Sequence, residues 1–116
     1  MFEREGYVSI WIGREVPDAT SGKDILQDLC GVDYYDVDFQ DVVGEEDWRE
    51  IPIESLLRML SYSASYLSEA VPAAERLGIQ DARWAVSQLD YDYRIKEVTK
   101  PIAADPIFLG SFRYHQ

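Results

Sequence analysis

Behind Pro52, the residues Ile53, Leu56, Leu57, Leu60, Ala64 and Leu67 recur at three- and four-residue steps. That spacing lays one apolar stripe along a helix with proline in its first turn, and the stripe has to be buried against a second apolar surface. Strand-like runs supply it. Tyr7 to Ile12 is short, β-branched and aromatic, and stops at Gly13. Ala82 to Tyr93 is too rich in alternating aromatic and small residues for a helix, and Pro106 to Tyr114 is a further strand-like run. From Asp33 to Asp41, Tyr35, Val37 and Phe39 alternate with Tyr34, Asp36, Asp38 and Gln40, which predicts a half-buried strand with an acidic outer face.

The connections follow from local signals. Ser21 is positioned to cap a short helix with Asp24 in its first turn, Ile25, Leu26 and Leu29 on one face and Gly31 as its stop. Pro72 predicts a kink or break near Ser68 to Pro72, with Ala73 to Leu77 and Gly78 forming a second helical segment. Val42 to Ile51 and Arg94 to Asp105 read as loops, the latter with basic residues. The order β-α-β-α-α-β-β implies an α+β domain: about four strands in a mixed or antiparallel sheet, with two to three helices on one face.

A chain of 116 residues at 47% hydrophobic composition is long enough for one domain over 1–116 with one core, and too apolar to be disordered. Cys30 is the lone cysteine and has no internal disulfide partner. The opening Met-Phe-Glu-Arg-Glu lacks the basic then apolar profile of a signal peptide, and no apolar run approaches the ~20 residues of a membrane span. The expected compartment is the cytoplasm.

Charge is concentrated. Residues 33–50 hold eight carboxylates against the one cation Arg49, so this stretch accounts for most of the net charge of −11. Tyr34, Tyr35, Phe39 and Trp48 stand among the acids. Acidic potential beside rigid aromatic anchors suits capture of a basic protein surface, whereas nucleic acid and anionic membrane are repelled. The candidate partner-binding residues are Asp33, Tyr34, Asp36, Asp38, Asp41, Glu45, Glu46, Asp47, Trp48 and Glu50. Tyr62 and Tyr66, one helical turn apart, either extend that surface or pack in the core. Exposed aromatics are compatible with a homodimer, which is not the expectation.

No catalytic constellation accompanies this surface. His115 stands next to the end of the sequence, Cys30 has no neighbouring histidine to generate a thiolate, and there is no G-x-S-x-G turn. Glycine-rich phosphate loops and cysteine-based zinc spacings are missing, so no cofactor and no metal is expected. The competing reading is a metal-dependent hydrolase in which Asp36 and Asp38, helped by Glu45 or Asp47, hold magnesium. An acidic housekeeping interaction domain is the third.

Three segments in order carry a resemblance: Val8-Ser9-Ile10-Trp11-Ile12-Gly13, then Tyr35-Asp36-Val37-Asp38-Phe39, then Phe108-Leu109-Gly110-Ser111-Phe112-Arg113-Tyr114. Together they resemble the immunity protein 22 family of bacterial polymorphic-toxin and contact-dependent inhibition systems, and the likeness spans nearly the whole chain. The family's acidic residue after the Asp-Phe pair is matched by Asp41, with Gln40 intervening. The resemblance implies a small cytosolic protein, encoded beside a toxin, that neutralises the toxin's C-terminal domain without catalysis. Nuclease-type toxin domains present basic surfaces, which agrees in sign with the acidic segment.

Overall fold

A computed structural model describes residues 2–17 and 22–115. In chain order it contains strands β1 (Glu3–Gly13), β2 (Gln40–Gly44) and β3 (Ile51–Pro52), helices α1 (Ile53–Arg58) and α2 (Leu67–Arg76), then β4 (Asp81–Ala82), β5 (Trp84–Tyr91) and β6 (Ile107–Arg113). The four long strands form an antiparallel sheet in the order β2-β5-β1-β6, and β3 with β4 makes a short ribbon beside it. The architecture is α+β, as expected.

Side-chain alternation decides which face each residue serves. Val8, Ile10 and Ile12 pack with Ala85 and Leu109 against Leu56, Leu57, Ala70 and Ala74 of the two helices. Trp11, Trp84 and Val86 turn to the other face, where they meet Phe2, Leu26, Cys30, Val32, Tyr91 and Tyr93. The single expected core is therefore two apolar clusters, one on each side of the sheet. A central strand whose alternate positions are aliphatic and aromatic has two faces to remove from water, and each needs a cover. The aromatic face is tied together edge to face: Trp11 to Tyr93 at 5.0 Å between ring centroids, and Tyr93 to Phe108 at 4.7 Å. Its cover is irregular chain, opened by a wide π-helical turn at Ile25–Leu29. Asp24, expected inside that turn, is its cap and accepts the Gln27 N–H at 2.8 Å; Ser21, the expected cap, lies outside the described residues.

Residues 33–39 are not the expected strand. Pairing starts only at Gln40 and runs to Gly44, so the expected loop from Val42 is strand for its first three residues. Asp36 accepts the Asp38 N–H at 3.0 Å and closes a 3-10 turn over Val37–Phe39, competing with ladder formation. The carbonyls ahead of that turn are taken by side chains: Tyr91 Oη donates to Tyr34 at 2.8 Å and Gln88 Nε2 to Asp36 at 2.7 Å. With those partners the segment lies over the sheet rather than beside it.

The break in the long helical pattern also falls elsewhere. α1 ends at Arg58, Tyr62 takes a left-handed conformation with φ 60°, and α2 starts at Leu67, so Pro72 sits inside a continuous helix. Serines explain the earlier break. Ser61 donates both its N–H and its hydroxyl to Asp41 Oδ2, at 2.9 and 3.0 Å, Ser63 Oγ donates to the Arg58 carbonyl and Ser65 Oγ to that of Tyr62. These bonds replace the helical ladder through the connection. The carbonyl that Pro72 cannot serve belongs to Ser68, an exposed residue where water can take it. Gly78, with φ 75°, ends α2 as expected: its N–H bonds the Glu75 carbonyl and that of Ile79 the Ala74 carbonyl. Among the described residues, no helix is long and apolar enough to cross a membrane.

Candidate partner-binding surface

β2 is an edge strand, and eight of the ten candidate residues, all but Asp33 and Trp48, are distributed around it in three ways. Tyr34, Asp36 and Asp38 precede the strand and are exposed. Glu45, Glu46, Asp47 and Glu50 follow it, and a rise of about 3.3 Å per residue puts them at the strand's opposite end. Asp41 lies between but pairs with Ser87, on the helix side of the sheet, where it holds the Ser61 turn. The single acidic patch expected from the sequence is thus two groups, one at each end of β2, with Asp41 serving the fold.

Individual carboxylates differ in how far they are already engaged. Asp33 forms an ion pair with Lys100 of the basic loop. Arg49 stands 3.7 Å from Glu45 and 3.8 Å from Asp47, and pairs this exposed contribute only about 0–1 kcal/mol. Asp38, Glu46 and Glu50 are exposed and have no ion pair among the described residues. They are free to meet cations from outside.

The aromatic anchors separate as well. Tyr34 is exposed to 65%. Trp48 is half-buried, with φ 54°, and packs against the aromatic core instead of facing solvent. Gly44 makes room for it, since a Cβ there would stand 2.5 Å from the indole, and Arg83 Nη1 holds the Trp48 carbonyl at 2.9 Å. Tyr66 is fully buried, whereas Tyr62 is exposed and stacks on Tyr114. Exposed apolar side chains that the sequence reading did not place among the candidates are Val37, Phe39 and Val42, exposed to 65%, 44% and 42%. Alternation assigned Val37 and Phe39 to the core. The Asp36-x-Asp38 spacing, an Asx-turn signal, was the cue that they turn outward.

Elsewhere, Cys30 is buried and unpaired, and loss of solvation, with the Asp24 charge second, pushes its thiol up to about 12. Tyr35 Oη donates to Asp24, and burial first, then that carboxylate, raises its phenol to about 12. His115 is exposed. Among the described residues, no three carboxylate, thiol or imidazole groups gather closely enough to hold a metal ion, so Asp36 and Asp38 do not converge with Glu45 or Asp47. Chemically, the surface around β2 offers acceptors, negative potential and apolar contact area. No family model, no curated protein and no solved structure matches the chain.

Proposed function

We propose that this protein is a stoichiometric, non-enzymatic antitoxin of the bacterial immunity class, which binds the C-terminal domain of a cognate toxin in the cytoplasm and obstructs it. One observation carries the reading: Tyr34, Val37, Phe39 and Val42, on and just before the edge strand β2, are all exposed, beside Asp36 and Asp38, which have no ion pair among the described residues. Apolar area rimmed by charge is the anatomy of a protein-binding surface. The sign of that charge selects a basic partner, such as a nuclease-type domain shaped for phosphate. The resemblance of three segments to the immunity protein 22 family points to the same role; they lie on β1, on the Asp36 turn and on β6 with Tyr114. The carboxylates speed encounter and set orientation, and Phe39, Val37 and Tyr34 supply desolvated contact.

The test is co-purification with the product of the adjacent gene, followed by the triple charge reversal Glu45→Lys, Glu46→Lys, Asp47→Lys and, separately, by Val37→Asp. Each is expected to weaken association at least about tenfold, the charge variant chiefly through a slower on-rate. Unchanged binding and unchanged protection by both variants would remove this surface from the interface.

A further inference from the structure

Beside the Asp36 turn lies a cleft of about 330 Å³ whose lining includes Glu5, Tyr34, Asp36, Phe39, Gln88 and Asp90. Its size is at the low end of ligand sites, roughly 300–1,000 Å³, which fits a side chain better than a nucleotide or a cofactor. One of the lining residues, Gln88, has a buried polar atom without a partner among the described residues. Gln88 is 1% exposed, and its Nε2 donates to the Asp36 carbonyl at 2.7 Å. A carbonyl oxygen only accepts, so this bond fixes which way the amide faces and leaves Oε1 with no donor. Gln40 lies across the ladder from Gln88, but no hydrogen bond joins the two side-chain amides. A buried acceptor left open is destabilising until a donor reaches it.

The remaining lining says which donor. Asp36 uses Oδ1 on the Asp38 N–H and keeps Oδ2, while Asp90 Oδ1 accepts from the Gly6 N–H and from Tyr114 Oη. Arg4, the cation of the lining, is drawn aside, with Nη1 on Asp92 at 2.9 Å and its guanidinium 3.9 Å above the Tyr7 ring. Negative charge therefore prevails in the lining, which also holds the exposed rings of Tyr34 and Phe39. We infer that this cleft receives an arginine side chain projecting from a protein partner, with the guanidinium donating to Gln88 Oε1 and the Asp36 carboxylate and its stem lying along the two rings. Arginine fits better than lysine because a planar fork serves two separate acceptors at once and sheds its hydration more easily. The assignment deepens the reading of residues 33–50 as a partner surface and rests on it.

The experiment is an amide-resolved NMR titration of the free protein with Nα-acetyl-arginine methylamide, its citrulline counterpart and free arginine. The arginine derivative is expected to give saturable shifts centred on the Gln88 side-chain amide, Tyr34 and Phe39, and the uncharged citrulline derivative to bind at least about tenfold more weakly. Asp36→Asn, which retains a capping oxygen, is expected to weaken binding about tenfold, and Phe39→Ala about threefold. Both side chains are exposed, so these variants keep the test open even where Gln88→Met disturbs folding. Absence of saturation at Gln88, equal binding of citrulline, or tighter binding of free arginine than of the blocked form would overturn the assignment. No toxin is needed in this titration, so its outcome is separate from the co-purification: probe binding without toxin binding leaves the arginine cleft standing, and toxin binding without a response at Gln88 removes the cleft alone.

Discussion

Trp48 shows how one small residue determines the fate of a large one. Its neighbours Asp47 and Arg49 suggest a solvent-facing loop, yet Gly44 leaves a space in which the indole lies against the end of β2. Adding a methyl group at Gly44 would bring Cβ to 2.5 Å from the ring and 2.9 Å from the Arg83 carbonyl oxygen, and the carbonyl is main chain that cannot swing away. Gly44→Ala is therefore expected to lower stability by about 1–3 kcal/mol in urea unfolding followed by circular dichroism, with a concurrent change in tryptophan fluorescence. An unchanged midpoint would mean that Trp48 does not pack there. Gln88 is the converse case: nothing in a polar residue two positions after Val86 announces that one end of its amide is tied to a turn 52 residues away in the chain and the other left open.

Among the elements, α2 presents alanine to the sheet. Ala70 and Ala74 have no exposed surface, so the helix approaches the strands closely and a longer side chain has nowhere to go. Ala70→Leu should cost about 1–3 kcal/mol, whereas Glu75→Ala on the exposed side should stay within about 0.5 kcal/mol; comparison of their urea midpoints checks the difference. The strands β1, β5 and β6 and the apolar stripe of the helices were legible in the sequence because burial imposes a period of 2 or 3.6 on side chains that one can count. What decided the rest has no period. The end of α1 depends on Ser61 meeting Asp41, twenty residues earlier in the chain, and the loss of the expected strand at 33–39 depends on Tyr91 and Gln88 capturing its carbonyls. For the candidate surface, composition supplies the segment and the sign of its charge as an expectation, but alternation assigned Val37 and Phe39 to the core, whereas both are exposed.

For the whole molecule, the two-sided core leaves phenols in places where a negative charge is poorly solvated. Burial is the leading cause that raises Tyr35, Tyr66, Tyr91, Tyr93 and Tyr114 above the ordinary tyrosine value, Tyr35 and Tyr93 to about 12. An unfolded tyrosine releases its proton near ~10, before its folded counterpart, so between those values the folded state holds more protons than the unfolded one. The stability contributed by these neutral phenols is complete below ~10 and is lost as pH rises through the folded values. Urea midpoints are expected to fall steeply between about pH 10 and 12, with these five rings ionising together with the loss of near-ultraviolet dichroism. Ionisation of the five well ahead of unfolding, read from residue-resolved ring chemical shifts, would contradict burial as the cause.

β2 also ends the sheet with one lateral row of main-chain donors and acceptors that has no neighbouring strand among the described residues. Such a rim invites a second copy to continue the ladder, and in this chain carboxylates stand at both ends of it. Two molecules brought rim to rim would repel, so the anions proposed to attract a basic protein would also oppose pairing between copies. High salt, by muting that repulsion, would work against both at once: it would loosen the proposed complex and lower the barrier to self-association.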